Sequence, residues 1–303
     1  MKSPVQYPPE IGTEGPRADA EGLPLRVNER PHRVAPGVTL FQLRDRLKPD
    51  ADVVILNGFP LAEDRPLAAG DEVVLIRRGE VPSPEELESL MVARHGPGVH
   101  ARVKAARVGI AGCGGLGSAV AIALARTGVG HLLLVDFDVV EPSNLNRQQF
   151  FIDQIGLPKV DALRDNLLRM NPYVRIETRN LRLTARNIPE TFAGCHVIAE
   201  CFDDPTMKRD LTVAVRRGLP TIPLVTVSGI AGYGPADSIR VRRIFRNVWL
   251  VGDTETAAAP GRGLLAPRVA VAAGQQANVV LRLLLGEEGE GSGRRESDPV
   301  EEG

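Results

Sequence analysis

A glycine-rich segment, GCGGLGS at residues 112–118, constrains the fold of this chain more than any other sequence feature. An apolar run before it predicts a strand at Val108–Ala111, and good helix formers after it predict a helix over Ser118–Thr127. In this position glycines permit a tight turn, close approach of the backbone to a phosphate, and packing of the helix against the strand. The N-terminus of the helix also presents unpaired N–H groups to an anion. The sequence therefore predicts a nucleotide-binding loop that contains Gly112, Gly114, Gly115 and Gly117.

Apolar strands and helical segments alternate from residue 107 to residue 285. Short runs of Val, Ile and Leu separated by helices are typical of parallel strands that are covered on both faces. The predicted fold class is therefore α/β, with a Rossmann-like, doubly wound, mostly parallel sheet over residues 107–285. Beyond the glycines we predict strands at Leu132–Val135, Val174–Thr178, His196–Cys201 and Thr221–Val227, and helices at Lys159–Met170, Met207–Arg217 and Arg268–Leu285.

Residues 24–80 form a separate predicted unit. The order strand, strand, helix, strand, strand suits a β-grasp fold, and Thr39 is placed to cap the helix. These segments are Leu25–Val27, His32–Val34, Leu40–Leu47, Val53–Leu56 and Asp71–Ile76. Residues 81–106 are interpreted as a linker with a helix at Ser83–Ala93. Residues 1–22 and 286–303, rich in Pro, Gly and charge, are predicted to be disordered tails.

The composition of the 303 residues, 43% hydrophobic and 25% charged, is that of a soluble globular protein. A net charge of −1 gives no global attraction for nucleic acid or for an anionic membrane, so neither is expected as a partner. The N-terminus lacks the apolar stretch of a signal peptide, and we expect a cytoplasmic location. Three cysteines without close pairing make neither a disulfide framework nor a zinc site, so no zinc is expected.

An acid and two cations follow the glycine-rich loop. Asp136 ends the next predicted strand about twenty residues on, where an acidic side chain can bind ribose hydroxyls. Arg147, Lys159 and the amides of Asn144 and Gln148 come next. Fixed cations at this place suit a triphosphate, because leaving pyrophosphate must be stabilised, whereas a nicotinamide enzyme needs no such cluster. The alternative, residue by residue, is a solvated loop followed by an exposed helix lysine.

Taken together, these motifs resemble the ThiF/MoeB/ubiquitin-activating enzyme family. The resemblance covers roughly residues 88–285 and includes the Asp136/Asp138 pair and the segments Ser143–Gln148 and Gly156–Lys159. The segments ARHGPGVH at residues 93–100 and AGYG at residues 231–234 resemble the shorter branch of ThiF. Residues 24–78 resemble ThiS, the sulfur carrier that this branch activates.

The resemblance implies an adenylyltransferase. ATP would activate the C-terminal Gly-Gly carboxylate of a ThiS-type sulfur carrier, supplied in trans, as an acyl-adenylate with release of pyrophosphate, in thiamine biosynthesis. It also implies Mg²⁺, a homodimer, and a separate protein that donates sulfur. Position by position, the expected ATP-binding residues are Gly112, Gly114, Gly115, Gly117, Asp136, Asp138, Asn144, Arg147, Gln148 and Lys159. The expected catalytic residues are Arg147, Lys159, Asp203 and Arg94, with Asp203 on Mg²⁺ and Arg94 lent by the partner subunit.

The chain departs from the family pattern at three places. Asp204 stands where the family usually has asparagine after the magnesium aspartate, and both acids could instead be ordinary loop residues. The stretch 224–267 contains no cysteine, so a covalent link to the carrier is not expected. The ThiS-like unit runs on through Ile76–Glu80 without a free Gly-Gly end, and we therefore expect the carrier to be another molecule.

Other functions stay open on sequence grounds. The same fold could adenylate a different carrier, a small molecule or a tRNA nucleoside. A non-catalytic scaffold that binds ATP and a carrier is the alternative that involves no enzyme. A nicotinamide oxidoreductase would rest on the glycine-rich loop alone. For Arg94 the alternative is an ordinary surface arginine on the linker.

Overall fold

The computed structural model describes residues 22–287. The chain divides after Ala93 into two compact units. The two tails for which we predict disorder lie outside the described residues, apart from Gly22, Gly286 and Glu287. Among the described residues, no helix combines the length and the apolar character needed to cross a membrane.

The first unit is a five-stranded sheet with one helix packed on it. Its core is apolar, and Leu40 and Leu43 of the helix are buried against Val73 and Leu75 of the sheet. Thr39 caps the helix in a capping box with Gln42, as its sequence position predicts. The strand order is β2-β1-β5-β3-β4, with β1 parallel to β5, which is a β-grasp arrangement. The elements are β1 (Leu23–Val27), β2 (Arg30–Val34), α1 (Leu40–Leu47), β3 (Val53–Leu56), β4 (Phe59–Pro60) and β5 (Glu72–Ile76), followed by α2 (Pro84–His95), whose last two residues lie beyond the division.

The second unit is built on a seven-stranded sheet in the order β11-β12-β10-β9-β6-β7-β8, in which β11 alone runs antiparallel to its neighbour. Its strands are β6 (Arg107–Ala111), β7 (His131–Asp136), β8 (Arg175–Asn180), β9 (Val197–Glu200), β10 (Leu224–Val227), β11 (Arg240–Phe245) and β12 (Val248–Gly252). Its helices are α3 (Pro97–Ala105), α4 (Gly115–Arg126), α5 (Lys159–Met170), α6 (Ile188–Phe192), α7 (Pro205–Gly218) and α8 (Ala266–Leu284).

Helices cover both faces of this sheet. The apolar faces of α4, α5 and α8 form one buried cluster on the sheet, and those of α6 and α7 form another. The strands β9 and β10 are buried along their whole length, which is why their sequences are continuous apolar runs rather than alternating ones. The doubly wound α/β fold and the β-grasp unit predicted from the sequence are therefore confirmed.

Strand order places a crevice beside β6. From β6 the chain moves to β7 on one side and later returns to β9 on the other. In open α/β sheets such a reversal leaves a crevice at the carboxyl ends of the strands, and ligands bind there. The predicted glycine-rich loop follows β6 at this point.

Candidate functional site

A cavity of about 540 Å³ lies beyond the carboxyl ends of β6, β7, β9 and β10. It brings together most of the residues predicted from the sequence. Those that line it are Gly112, Gly114, Gly115, Asp136, Asp138, Arg147, Gln148, Lys159 and Asp203. The sequence thus identified residues of one cavity in segments that are far apart along the chain.

The glycine-rich loop is shaped by close backbone contacts. Gly112 has φ +93°, a left-handed conformation that favours glycine, and a Cβ there would lie 3.1 Å from the carbonyl oxygen of Cys201. Gly117 does not line the cavity. A Cβ at Gly117 would lie 1.8 Å from the carbonyl oxygen of Gly112, so this glycine allows α4 to pack under the loop. Cys113 is fully buried, and burial raises the pKa of its thiol well above the ordinary value.

Asp136 is tied to the loop. Its Oδ2 accepts a hydrogen bond of 2.6 Å from the N–H of Cys113, and its Oδ1 accepts one of 2.8 Å from the N–H of Asp138. Burial is the largest influence on Asp136 and raises the pKa of its carboxyl, against these two hydrogen bonds and the nearby charge of Lys159. The carboxylate is therefore fixed in position at the end of β7, where it can accept hydrogen bonds from ribose hydroxyls.

Lys159 is the buried cation of the cavity. It begins α5, is 6% exposed, and its Nζ lies 2.9 Å from Oδ2 of Asp138. Burying an ammonium group is costly without a counter-charge, and Asp138 supplies one. An ammonium group has three N–H donors, and Lys159 lines the cavity, so its Nζ can also donate to an anion bound there.

The segment after β7 contains a short turn at Asn144, and Arg147 and Gln148, which line the cavity, follow this turn. Asn144 is buried and does not line the cavity; its Oδ1 accepts the N–H of Glu141 at 3.1 Å and so closes the turn. Arg147 lines the cavity and donates to Oδ1 of Asn146 at 2.8 Å. Gln148 is 7% exposed, and its buried Oε1 has no hydrogen-bond partner among residues 22–287. A buried amide oxygen without a partner at a cavity is suited to accept a ligand hydrogen bond.

The two neighbouring acids after β9 have different tasks. Asp204 caps α7, because its Oδ1 accepts the N–H groups of Thr206 at 2.7 Å and Met207 at 2.8 Å. Asp203 is exposed and lines the cavity, and it makes no hydrogen bond or ion pair within the described part of the chain. The residue that departs from the family pattern is therefore a helix cap, which leaves Asp203 available to a ligand.

The residues present fit a magnesium ion that is held largely by a substrate. In the described range 22–287 no cluster of three or more His, Cys, Asp or Glu could bind a metal alone. Mg²⁺ characteristically uses one or two carboxylates, several waters and the phosphates of a nucleotide, so a single available carboxylate at a cavity that binds phosphates meets that requirement. Asp203 is the residue that would hold it.

A buried acid and its lysine partner were missed by the sequence reasoning. Glu200 ends β9 and is fully buried, and its two carboxylate oxygens lie 3.0 and 3.2 Å from Nζ of Lys208. Lys208 also donates to the carbonyl oxygen of Val227 at 2.8 Å and lines the cavity, while the hydroxyl of Thr226 donates to Glu200. The only sequence signal was an acid that closes an apolar strand, which implies a buried counter-charge but not its identity.

Arg94 is not brought to the cavity. It is an exposed residue in the last turn of α2, and it is absent from the residues that line the cavity of the same chain. The role of Arg94 as a residue lent by a partner subunit stays a prediction.

Comparison with known proteins gives matches over both units. Residues 87–297 match the ThiF family, and residues 23–79 match the ThiS-like ubiquitin family. The molybdopterin-synthase adenylyltransferase of Salmonella typhimurium is 32% identical over 186 residues, which cover 60% of this chain and 74% of that protein. The adenylyltransferase and sulfurtransferase UBA4 of Eremothecium gossypii is 42% identical over 119 residues, 39% of this chain and 27% of that one.

The fold is also found among solved structures. The tRNA N6-threonylcarbamoyladenosine dehydratase TcdA of E. coli, solved in complex with ATP, superposes with a TM-score of 0.62 at 24% identity and covers 69% of this chain and 98% of that chain. The relatives above are named adenylyltransferases, in agreement with the enzyme class expected from the sequence. Because the ThiF match spans well over half of the residues and includes every strand around the cavity, the chain belongs to the ThiF family and carries a ThiS-like unit in front.

Proposed function

We propose that this protein is an ATP-dependent adenylyltransferase that activates the C-terminal carboxylate of a ThiS-type sulfur carrier supplied in trans. One observation carries the proposal. A single cavity is lined by a glycine-rich loop, by the cations Arg147 and Lys159, and by Asp203, a carboxylate with no partner among the described residues. Nucleotidyl transfer requires cations that stabilise the negative charge of the polyphosphate and a carboxylate that can hold Mg²⁺.

The chemistry needs no protein nucleophile. An oxygen of the carrier's carboxylate forms a bond to the α-phosphorus of ATP, and the bond between that phosphorus and the bridging oxygen to the β-phosphate breaks. The products are an acyl-adenylate and pyrophosphate. Arg147 and Lys159 stabilise the charge that develops on the leaving pyrophosphate, and the N-terminus of α4 binds phosphate oxygens. When bound at Asp203, Mg²⁺ would neutralise phosphate charge.

The carrier is a separate molecule in this proposal. After β5 ends at Ile76, the chain continues into α2, which begins at Pro84. The first unit therefore offers no free carboxylate at the end of its last strand. Its role in the protein is then that of an accessory unit.

Sulfur also comes from another protein. Cys113, Cys195 and Cys201 are all buried, and burial raises the pKa of each thiol. Thiolate is the nucleophilic form, so buried thiols with raised pKa values are poor sulfur donors. A donor's sulfur replaces AMP on the activated carboxylate after adenylation.

An exposed apolar surface supports a homodimer. Four large side chains of the segment after β7 are exposed: Phe151 by 52%, Ile152 by 78%, Ile155 by 42% and Leu157 by 44%. A cluster of this kind on a soluble protein marks an interaction site. The proposal includes a second copy of this chain bound at this surface and Arg94 acting on the partner's ATP.

The proposal also names the biosynthetic pathway to which the carrier belongs. The ThiS-like unit favours a thiamine carrier. The second candidate is the carrier subunit of a molybdopterin synthase, because a relative at 32% identity is named after that acceptor. The two candidates share the reaction and differ in the protein that the cavity admits.

Pyrophosphate exchange tests the reaction directly. The protein is incubated with ATP, Mg²⁺ and labelled pyrophosphate, with a ThiS-type carrier, with a molybdopterin-synthase carrier, or with neither. We expect exchange only with a carrier that ends in an intact Gly-Gly. Exchange without any carrier would point to a small-molecule acceptor or to the chain itself, and none under any condition would favour a scaffold.

Asp203→Asn and Asp204→Asn form a matched pair for this assay. Asparagine at position 204 still caps a helix, so Asp204→Asn retains exchange. Asp203→Asn removes the available negative charge, and a loss of about 100-fold or more is expected, the scale of one lost charge contact in a transition state. Equal activity in the two variants would remove Asp203 from the reaction.

A further inference from the structure

Two loops form one wall of the cavity. Residues 228–238 follow β10, and residues 253–264 include the turn that follows β12. The residues of these loops that line the cavity are uncharged, and most are small or apolar. They are Ser228, Gly229, Ile230, Ala231, Thr254, Thr256, Ala257, Ala258 and Leu264. The cations and acids assigned above to ATP lie on other elements, so this wall itself presents no charged side chain to the cavity.

Arg268 joins the two loops. It lies in the first turn of α8 and is 4% exposed. Its Nη1 donates to the carbonyl oxygens of Gly234 at 2.8 Å and Pro235 at 2.7 Å, in the first loop. Its Nη2 donates to the hydroxyl of Ser238 at 3.1 Å. It also donates to Oδ2 of Asp253, the first residue of the second loop, at 2.6 Å. One planar guanidinium thus holds both loops to the helix.

Asp253 in turn organises the second loop. Its Oδ1 accepts the N–H groups of Glu255 and Thr256, both at 2.8 Å, and its Oδ2 accepts the hydroxyl of Thr256 at 2.7 Å. Thr254, the residue after Asp253, lines the cavity and has φ +70°, an unusual conformation for a residue other than glycine. Gly229 of the first loop fits only without a side chain, because a Cβ would lie 2.1 Å from Oδ1 of Asp253. The wall is therefore held in one arrangement by the hydrogen bonds of Asp253 and by its close packing against Gly229.

We propose that Arg268 and Asp253 are positioning residues that fix the width of the passage for the acceptor. This inference rests on the adenylyltransferase function proposed above. A wall of small, uncharged residues leaves room for the backbone of an extended peptide without side chains, and it gives no charge that would bind a second anion. The tail of the carrier proposed above, which ends in Gly-Gly, is an acceptor of this kind. The ion pair acts on this tail through the wall and does not touch it.

Steady-state kinetics of carrier-dependent pyrophosphate exchange test the inference. Arg268→Lys keeps the charge and loses the planar fork, and Asp253→Asn keeps the shape and loses the charge. For each we expect the KM for the carrier to rise about tenfold, the equivalent of one weakened charge-assisted hydrogen bond, with the KM for ATP unchanged. The double variant is expected to be no worse than either single one, since the two residues act as a unit. Arg282→Lys, near the other end of α8, is the control and leaves both KM values unchanged.

Hydrogen exchange supplies a readout that does not depend on the reaction. In Arg268→Lys the amides of residues 228–238 and 253–264 should exchange faster, while those of residues 112–118 keep the wild-type rates. Unchanged exchange in both loops overturns the inference, and so does an equal rise in the KM for ATP and the KM for the carrier. If the wild type adenylates no carrier, the proposed function fails, but hydrogen exchange still decides whether the ion pair holds the wall.

Discussion

Five aspartates around the cavity differ in task because their neighbours differ. Asp204 caps α7, and Asp253 pairs with the buried Arg268. Asp136 is held by the N–H of Cys113, and Asp138 neutralises Lys159. Asp203 has no hydrogen bond or ion pair within residues 22–287. At the scale of single residues, Asp203 is therefore the candidate metal ligand because its carboxylate, unlike the other four, is not bound to another residue of the described part of the chain.

Asp253 makes the free energy of unfolding depend on pH, and its contribution is lost as the pH falls. Burial raises the pKa of its carboxyl, but hydrogen bonds from Thr256 and Glu255 and the charge of Arg268 hold that pKa below its ordinary value of 3.8. A lowered folded-state pKa means that the carboxylate stabilises the fold above its unfolded pKa and loses this contribution as pH falls through the folded one. Asp253→Asn should therefore lower the free energy of unfolding at pH 7 by about 2 kcal/mol.

Urea titrations of both proteins between pH 7 and pH 3 measure this difference. It should be constant at neutral pH and shrink as pH falls below about 3.8, because the unfolded wild-type chain then takes up a proton at Asp253 that the folded state binds only at lower pH. A difference that stays the same down to pH 3 would contradict the assigned pKa direction. Ser238→Ala, which removes only a hydroxyl partner of Arg268, should show no such pH dependence.

Two helices, α4 and α8, contain glycines with opposite roles. A Cβ at Gly117 in α4 would lie 1.8 Å from the carbonyl oxygen of Gly112, whereas a Cβ at Gly274 in α8 meets nothing within 4 Å. Gly117→Ala must move α4 away from the loop, and we expect a loss of about 1–3 kcal/mol in the free energy of unfolding, together with weaker ATP binding. Gly274→Ala should instead stabilise the protein by roughly 0.5–1 kcal/mol, because glycine in a helix is entropically unfavourable.

Urea unfolding and calorimetric titration with ATP separate the two effects. Gly274→Ala serves as the control, since it makes the same substitution in a helix that does not form the phosphate loop. Equal stability changes in the two variants would mean that α4 is not packed against the loop as described.

At the scale of the whole molecule, the exposed apolar segment after β7 predicts self-association. Ile152 is 78% exposed and Phe59 of the first unit is 72% exposed. Ile152→Asp should convert the protein to a monomer in sedimentation analysis, because a charge buried at an interface is costly. Phe59→Asp, an equally exposed apolar position outside the segment, should leave the dimer intact. A dimer that persists in Ile152→Asp would place the interface elsewhere.

The same dimer gives Arg94 a test of its own. In a mixture of Arg94→Ala and Lys159→Gln subunits, a mixed dimer has one cavity with both residues intact if Arg94 acts across the interface. Random mixing then restores about a quarter of wild-type activity, because half of the dimers are mixed and each has one intact site. No recovery over the two separate variants would contradict action in trans. The measurement is pyrophosphate exchange after the subunits are mixed under conditions that allow exchange.

Much of the fold was predictable because its signals are local. The apolar runs of β6, β9 and β10, the glycines after β6 and the cap at Thr39 each depend on neighbours within a few residues. The β11–β12 hairpin was not predicted, since half of the residues in β11 are exposed arginines and only Val241 of this strand packs, in part, against the core. The boundary of α4 also differed, beginning at Gly115 rather than at Ser118, because glycine is a poor helix former in sequence but is required here by packing.

Local patterns along the chain are enough to predict the α/β class, the β-grasp unit and the cavity residues that belong to motifs, because the spacing within a strand–loop–helix unit already places those residues at one edge of a sheet. Which of the predicted residues face the cavity depends on packing: Gly117 and Asn144 contact the backbone instead, and Arg94 is not among the lining residues. Packing also decided the pairs Glu200–Lys208 and Arg268–Asp253. The physical reason is that a buried charge must find a counter-charge, but any of the chain's many cations could serve until packing brings one within reach.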